Sequence, residues 1–421
     1  MLDCHVLLSQ PWENWLTDSL SQLRSANLLR TLRPVVPTLN AVEVVVPGEV
    51  LWPWLAEGGV VPAVSASAPD ATGGGVLKLF SLNDYLGLST HPAVCQAAAH
   101  AALLYGSGPR SSALVGGHTH AHRELECALA ALKGAQDALL FPTGFAANLA
   151  AVSALACDAG AVVFSDELNH ASIIDGARLA GRAGAAVHVY RHNDLAHLER
   201  LLVACPPGRR RLVVTDSLFS MDGDFADLQG LAELRQKHGF LLAIDEAHAT
   251  LVCGERGGGA AESAGVADQV DLHIGTLSKA AGAHGGFVAC RADMRSLLVT
   301  RGRAGVFSTA LPAPVVAAAT AALRVAAEEP WRRQHLWRLV ERLGAGLGVR
   351  AASPIVPLVI GGEAAALAAS AALLARGFHV PAIRPPTVAA GTSRLRISLS
   401  AAHTCADAVQ NLTPFLTTQL A

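Results

Sequence analysis

The chain has 421 residues, of which 51% are hydrophobic and 16% carry a charge. This composition is too apolar for a disordered chain, and it supplies a large buried core with room for more than one domain. The formal net charge is −2, without a long run of one sign. Composition therefore favours neither a nucleic-acid-binding surface nor a surface for anionic membranes.

Eight cysteines are spread along the chain without a CxxC pair, which argues against a metal site of the usual zinc spacing and predicts reduced thiols. The first twenty residues lack a basic n-region and contain acidic residues, and the last three, Gln-Leu-Ala, are not a peroxisomal address. The longest uncharged stretch, residues 138–157, contains Pro142, Gly144 and Asn148, so strand–turn–helix explains it better than a membrane span. We expect a cytoplasmic protein.

The N-terminal part of the chain differs from the rest in its residue pattern and composition. Trp and Leu recur at near-helical spacing over residues 10–32, which predicts a helix that Pro34 ends. Residues 41–76 combine Val runs with Pro and then become rich in Gly, Ser and Ala. This pattern predicts an insertion or linker that is weakly structured near its end.

From Leu79 onward, short apolar runs alternate with Ala-rich helical stretches. Predicted strands are 138–141, 162–165, 212–216 and 241–245, and predicted helices are 124–132 and 228–238, closed by Gly134 and Gly239. This alternation predicts an α/β fold with a mostly parallel central sheet, covered by helices on both faces, with ligands at the carboxyl ends of the strands. A smaller α+β domain is expected after Pro314, which gives the division 1–78, 79–315 and 316–421.

Two segments together indicate chemistry on pyridoxal phosphate (PLP). Asp245 ends the apolar run LLAID, His248 follows in the same IDEAH segment, and Lys279 lies in the small-residue loop GTLSKAAGAHGG. An amine can form a Schiff base with the cofactor aldehyde, while an acid keeps the pyridine nitrogen protonated. An exposed loop lysine and a structural ion pair of the aspartate are the simpler alternatives.

Other segments carry weaker signals, each with an ordinary structural alternative. The turn at Gly144 and Phe145 precedes an Ala-rich helix and suits a phosphate, although glycine turns before helices are common. His170, at a strand-to-helix junction, could stack on a planar ring, and Ser220 could contact a ring substituent. Arg394 and Arg396 alternate along a predicted strand, so one of them could clamp a carboxylate while the other is a surface residue.

Taken together, these segments resemble the α-oxoamine synthases, PLP-dependent transferases of fold type I. The motifs that carry the resemblance stand in the family's order from about residue 79 onward: NDYLGL, GSGPRSSALVGG, TGFAAN, LNHASIIDG, DSLFSMDGDFA, IDEAH and GTLSKAAGAHGGF. The chain departs from the family pattern at Ala249, where Gly or Ser is usual, and in its longer segment before NDYLGL.

The resemblance implies roles for individual residues. It implies that Lys279 is the Schiff-base lysine and proton shuttle, that Asp245 holds the pyridine nitrogen, and that His170 stacks on the ring. The remaining cofactor contacts that it implies are His248 and Ser220 near the phenolic oxygen, Gly144, Phe145 and Thr276 at the phosphate, and Thr309 at a phosphate across a dimer interface. The substrate contacts that it implies are Asn83 and Arg396 at the amino-acid carboxylate, with Arg30 and Thr387.

Within the family, the segments SLFSMDGDFADL and AIRPPTVAAGTSRLRIS are similar to those of the plant-type branch. Enzymes of that branch condense L-alanine with a pimeloyl thioester in biotin biosynthesis. The thioester carrier, coenzyme A (CoA) or acyl-carrier protein, stays open. The resemblance implies a homodimer with shared active sites, without nucleic acid, membrane or metal. Two alternatives remain: a family member with another amino-acid and acyl pair, or a non-catalytic partner subunit, which would be expected to lack Lys279.

Overall fold

The computed structural model describes residues 9–26, 28–57 and 74–420. Its helices are α1 (Gln10–Ser25), α2 (Gly48–Glu57), α3 (Pro92–Tyr105), α4 (His120–Lys133), α5 (Gly144–Leu155), α6 (Ala171–Arg182), α7 (Leu195–Ala204), α8 (Leu228–His238), α9 (Ala260–Ser263), α10 (Ala292–Arg301), α11 (Arg303–Val306), α12 (Ala313–Glu328), α13 (Trp331–Leu347), α14 (Glu363–Leu374) and α15 (Thr413–Leu420). Among these described helices, none combines the length and the apolar character needed to cross a bilayer.

The strands of the described chain form three sheets. They are β1 (Val36–Pro37), β2 (Glu43–Val46), β3 (Gly75–Leu79), β4 (Asp137–Phe141), β5 (Ala161–Asp166), β6 (Ala186–Tyr190), β7 (Arg210–Asp216), β8 (Leu241–Asp245), β9 (Leu272–Thr276), β10 (Gly286–Cys290), β11 (Ile355–Gly361), β12 (Phe378–His379), β13 (Ala382–Ile383) and β14 (Ser393–Ser398).

The largest sheet of the described residues has the order β4-β10-β9-β8-β7-β5-β6. Strands β6, β5, β7, β8 and β9 run parallel, whereas β10 is antiparallel to both β4 and β9. Every residue of β5, β9 and β10 is buried, as expected for apolar strands covered on both faces. The predicted α/β fold with a mostly parallel sheet is confirmed.

Helix α8 spans the predicted residues 228–238, whereas α4 ends before Gly134 as predicted but begins at His120 rather than at residue 124. Helix α5 starts at Gly144, and the hydroxyl of Thr143 accepts a hydrogen bond from the amide of Ala146. Helices α4 and α8 end at Gly134 and Gly239, which adopt left-handed φ angles of 68° and 63°. Glycine tolerates this conformation without a steric cost, and this explains the sharp helix ends.

The N-terminal prediction is wrong in its extent. Helix α1 spans Gln10–Ser25 rather than residues 10–32, because the amides of Leu28 and Leu29 turn back to the carbonyl of Leu23. The segment 41–76 contains β2 and α2, and the order β1-β2-β3-β12 joins it to the C-terminal part of the chain. Residues 58–73, where weak structure was predicted, lie outside the described residues. The division into three domains stays a prediction.

The C-terminal part contributes the sheet β11-β14-β13 and helices α12 to α15. On β14, Arg394 and Arg396 are both buried and pair with Val359 and Pro357 of β11. Because side chains alternate along a strand, both arginines point to one face, as predicted. All cysteines in the described part of the chain are free thiols.

Candidate active site

A cavity of about 240 Å³ lies where β7, β8 and β9 end. Its lining includes eight of the predicted cofactor contacts, namely Gly144, Phe145, His170, Ser220, Asp245, His248, Thr276 and Lys279. The carboxyl ends of parallel strands and the helix starts that follow them meet at one edge of a sheet, and this brings together residues from distant parts of the chain. The fold thus places the predicted lysine, acid and histidines in one pocket.

Lys279 is half-buried in the loop after β9, and its Nζ lies 2.9 Å from Nε2 of His248. Burial lowers the pKa of Lys279 to about 8, and the positive charge of Arg396 adds to this effect, while Asp245 and Asp216 oppose it. A substantial share of the amine is therefore neutral near pH 8, and a neutral amine can attack a carbonyl carbon or accept a proton.

His248 is buried, and it contacts Lys279 on one side and Tyr85 on the other. Burial, followed by the charges of Lys279 and Arg396, holds the pKa of His248 well below its usual value, so the ring is neutral. If Nε2 accepts a hydrogen bond from the lysine, Nδ1 carries the ring proton. The Nδ1–H group then donates a hydrogen bond to the Tyr85 hydroxyl, 2.7 Å away. The tyrosine thereby fixes the orientation and tautomer of the histidine.

Asp245 is buried at the end of β8, and each of its carboxylate oxygens accepts one hydrogen bond. The amide of Ala247 donates to Oδ1 at 2.7 Å, and the side-chain amide of Asn148 donates to Oδ2 at 2.6 Å. Asn148 also donates to the Ser172 hydroxyl at 3.0 Å, and this hydroxyl lies 2.7 Å from Nδ1 of His170. The acid and the histidine predicted to face the cofactor ring are thus joined through one asparagine and one serine.

The opposite end of the cavity can hold a phosphate. The first amides of a helix have no partner within the helix, and they carry a positive partial charge, so the start of α5 at Gly144 and Phe145 suits an anion. The hydroxyls of Thr276 and Ser278 lie 2.7 Å apart beside it. A Cβ at Gly144 would lie 3.0 Å from Cβ of Thr276, so a larger residue would require Thr276 to shift.

The residues present fit PLP. A phosphate cradle, an amine and a buried carboxylate line one cavity, in the combination that this cofactor requires. Two buried polar atoms of the site, Oδ1 of Asn148 and Oδ1 of Asp216, have no hydrogen-bond partner among the described residues. Such atoms are costly unless a ligand or water satisfies them.

The geometry distinguishes between the two arginines of β14. Arg394 forms an ion pair with Asp222, with 2.6 Å between Nη1 and Oδ1. Arg396 donates from Nε to the carbonyl of Ser220 at 2.6 Å, and its two Nη atoms lie 3.4 and 3.3 Å from Oδ1 of Asn83. Among the described residues Arg396 forms no ion pair, unlike Arg394, and it contacts Ser220 of the cavity lining. Arg396 is therefore the better candidate for binding a substrate carboxylate.

Five predicted residues are outside the lining of the Lys279 cavity. Asn83 and Arg396 adjoin it through the contact of Arg396 with Ser220, whereas Arg30, Thr387 and Thr309 lie elsewhere. Arg30 donates to the Thr387 hydroxyl at 3.2 Å, and the two line a separate cavity of about 210 Å³. Thr309 is exposed, and its backbone pairs with Ser112. An exposed position is compatible with a contact to a second subunit but not with a phosphate contact inside this chain's own cavity.

Sequence reasoning missed Tyr85, Asn148 and Asp216, which contact or line the site. All three stand inside motifs that the sequence analysis names, NDYLGL, TGFAAN and DSLFSMDGDFA. The motifs do not reveal which polar side chain meets which partner, because those contacts join residues far apart in the chain. Among the described residues, no group of three or more His, Cys, Asp or Glu side chains is placed to hold a metal ion.

Comparisons with known proteins agree on one family. Residues 77–412 match the model of the class I and II aminotransferases. The 8-amino-7-oxononanoate synthase of Arabidopsis thaliana is 54% identical over 80% of this chain and 74% of its own length. The serine palmitoyltransferase of Sphingomonas wittichii superposes with a TM-score of 0.84 at 30% identity and 97% coverage of both chains. A serine palmitoyltransferase solved with PLP has a TM-score of 0.83, with 29% identity and 97% coverage of each chain.

Proposed function

Since this chain belongs to the class I and II aminotransferase family and, within it, to the α-oxoamine synthases, we infer that it condenses L-alanine with a pimeloyl thioester. The products are 8-amino-7-oxononanoate, carbon dioxide and the free thiol, in a step of biotin biosynthesis. The observation that carries this assignment is the cavity in which Lys279, Asp245 and a phosphate cradle meet. The identity of 54% to a relative of that name supports the choice of substrates.

Bound PLP supplies an electron sink that stabilises negative charge at the Cα of an attached amino acid. Asp245 supplies a buried carboxylate that would favour a protonated pyridine nitrogen, because opposite charges at short range stabilise each other. Asn148 holds that carboxylate from the other side at 2.6 Å. Gly144, Thr276 and Ser278 would hold the phosphate, and His170 would cover one face of the ring.

Lys279 is the group placed to move protons. Its pKa, lowered to about 8 by burial, allows Nζ to be neutral and to accept the proton from the Cα of alanine near physiological pH. His248, at 2.9 Å, offers a neutral ring nitrogen that orients the amine without adding charge. The lysine can later return a proton to the product carbon.

Arg396 and Asn83 would bind the carboxylate of alanine. A guanidinium forms two parallel hydrogen bonds with a carboxylate, so it fixes the direction of the Cα–H bond as well as supplying affinity. Ser220 holds the guanidinium in place through its backbone carbonyl. Arg30 and Thr387, in their separate cavity, are proposed contacts for the acyl substrate.

One assay tests the substrate choice. The purified protein is incubated with L-alanine, glycine or L-serine, each against pimeloyl-CoA, acetyl-CoA, succinyl-CoA and palmitoyl-CoA, and thiol release is measured. Release that requires alanine and pimeloyl-CoA supports the proposal. Preference for serine with palmitoyl-CoA would instead indicate the serine palmitoyltransferase activity for which the structural neighbours are named. Failure to bind PLP would favour the alternative of a non-catalytic partner subunit.

We also propose that the protein is a homodimer with shared active sites. Thr309 is exposed, and its predicted phosphate contact therefore requires a second subunit. Helix α1 has no buried residue and exposes Trp12 and Trp15, with 59% and 57% of their surface accessible. Exposed apolar patches of this kind mark interaction surfaces.

Mixing two inactive variants tests the sharing of sites. In a heterodimer of Lys279→Ala with Thr309→Glu, one site receives an intact Lys279 and an intact Thr309 if the threonine acts across the interface. Activity should then return on co-expression, whereas each variant alone stays inactive. No recovery in a proven heterodimer would contradict the sharing of active sites.

We further propose that the protein is cytoplasmic. Cell fractionation tests this location.

A further inference from the structure

Asp216 is a buried acid of the cavity that the proposed chemistry does not use. It ends β7 beside Asp245, which ends β8, and the two residues are register partners in the parallel pair. Only 5% of Asp216 is exposed, and its side chain lines the same cavity as Lys279. Two acids on adjacent strand ends therefore face one small pocket.

The two oxygens of Asp216 have different surroundings. Oδ2 accepts a hydrogen bond from the backbone amide of His170 at 3.1 Å. In turn, the Asp216 amide donates to the side chain of Asn169 at 2.8 Å, so both residues before α6 are tied to the end of β7. Oδ1 is buried and has no hydrogen-bond partner among the described residues.

We infer that Asp216 is a positioning residue of the cofactor site, which holds His170 through Oδ2 and offers Oδ1 as a further polar contact for the cofactor. This inference rests on the proposed PLP function. The side chain of His170 is held independently by Ser172, whose hydroxyl lies 2.7 Å from Nδ1. Asp216 therefore sets where the backbone of His170 lies, and Ser172 sets how its ring is turned.

The charges around Asp216 favour its neutral form. Burial, and then the negative charges of Asp245 and Asp166, raise the pKa of Asp216 well above its usual value, while Lys279 and the His170 amide oppose this. A protonated acid can accept from the His170 amide with one oxygen and donate from the other. It adds no second negative charge beside Asp245, and two ionised carboxylates so close would repel each other.

The test compares Asp216→Asn, Asp216→Ala and a control, Asp271→Asn. An asparagine has the shape and the donor–acceptor set of a protonated aspartic acid, whereas alanine has neither. Asp271 is also an acid of the central sheet, but it precedes β9 and pairs with Arg235, outside the cavity. The dissociation constant of PLP is measured by fluorescence quenching in the absence of substrate, together with Tm of the apoprotein.

The alanine variant should bind PLP about 10-fold more weakly, because a buried amide loses its acceptor and the cofactor loses a contact. The asparagine variant should stay within about three-fold of the wild type. The control should lower Tm without weakening PLP binding.

Three results would overturn the inference: wild-type affinity in the alanine variant, an equal loss in the asparagine and alanine variants, or an equal loss in the control. The failure of the proposed function is a separate outcome, because the unaltered protein would then not bind PLP at all.

Discussion

Nζ of Lys279 lies 2.9 Å from Nε2 of His248, and Nδ1 of the same ring lies 2.7 Å from the Tyr85 hydroxyl. The amine that the proposed reaction depends on is therefore oriented by a neutral ring rather than by a carboxylate. A carboxylate partner would hold the lysine protonated, whereas a neutral imidazole leaves its pKa free to fall with burial. This relationship links the IDEAH segment, the small-residue loop and NDYLGL in one line of contacts.

Replacing Lys279 by alanine should remove both the covalent link to PLP and the base. The rate should fall by at least about 10²–10⁴, since a positioned base usually contributes that much. The visible absorbance of lysine-linked PLP should disappear in the same variant. Lys237→Ala is the control, because that lysine is exposed on α8, where it pairs with Glu199 outside the cavity. Retention of turnover or of the absorbance band in the Lys279 variant would refute the assignment.

Arg396→Lys should weaken the binding of alanine without preventing folding. The loss of a bidentate charged contact should raise KM for alanine roughly 10–100-fold. Arg394→Lys is a matched control on the same strand face, since that arginine is equally buried but pairs with Asp222. Steady-state kinetics with varied alanine distinguish the two. An equal rise of KM in both variants would mean that Arg396 is not the specific partner of the alanine carboxylate.

Tyr85→Phe should disturb His248 specifically. The change leaves a buried ring nitrogen without its partner, which should cost about 1–3 kcal/mol of unfolding free energy and lower kcat/KM about 10-fold. Tyr105→Phe serves as the control, because Tyr105 is 58% exposed on α3. Unfolding in urea and steady-state kinetics measure the two effects. Wild-type kinetics in the Tyr85 variant would show that the hydroxyl does not orient the histidine.

Lys133→Met should destabilise the fold strongly. The Lys133 amine is completely buried, and it donates to Glu246 at 2.7 Å, to Thr250 at 2.9 Å and to the carbonyl of Gly258 at 2.6 Å. Its removal leaves a buried carboxylate without its counter-ion, which typically costs about 3–5 kcal/mol. Urea unfolding of the apoprotein measures the change. Lys237→Met should change the unfolding free energy by less than about 0.5 kcal/mol, and a similar value for Lys133→Met would contradict the prediction.

The stability that His192 contributes should depend on pH in the alkaline range. Burial lowers the pKa of His192, but hydrogen bonds and charges of Asp166 and Asp224 outweigh this and raise it to about 10. A folded-state pKa above the unfolded value of about 6.5 means that protonation favours the folded state. This contribution is complete below about pH 6.5, and it is lost as the pH rises through about 10.

The Tm difference between the wild type and His192→Gln should therefore shrink from pH 6 to pH 10. His188→Gln, on the exposed part of β6, controls for a general effect of alkaline pH. A difference that stays constant over this range would show that the two aspartates do not retain the proton on His192.

The class of fold and the kind of chemistry follow from the order of residues along the chain. A short apolar run within an alternating strand–helix pattern predicts a buried strand, and polar residues directly after such a strand lie at the edge of the sheet. On this basis the sequence alone predicts that Asp245 and Lys279 share one site. The helix ends at Gly134 and Gly239 are also predictable from local sequence, because they depend on the backbone conformation of a single residue.

Which polar groups contact each other depends on how the helices and strands pack. Asn148 orients Asp245 across 97 positions of the chain, and Tyr85 reaches His248 across 163. The separate surroundings of Arg394 and Arg396 likewise come from residues that lie 172 and 176 positions away. Local patterns cannot encode such pairs, because a side chain's partner depends on how whole helices and strands pack. The same limit explains why helix α1 was predicted too long: the turn at Leu28 is a backbone contact that residue type does not reveal.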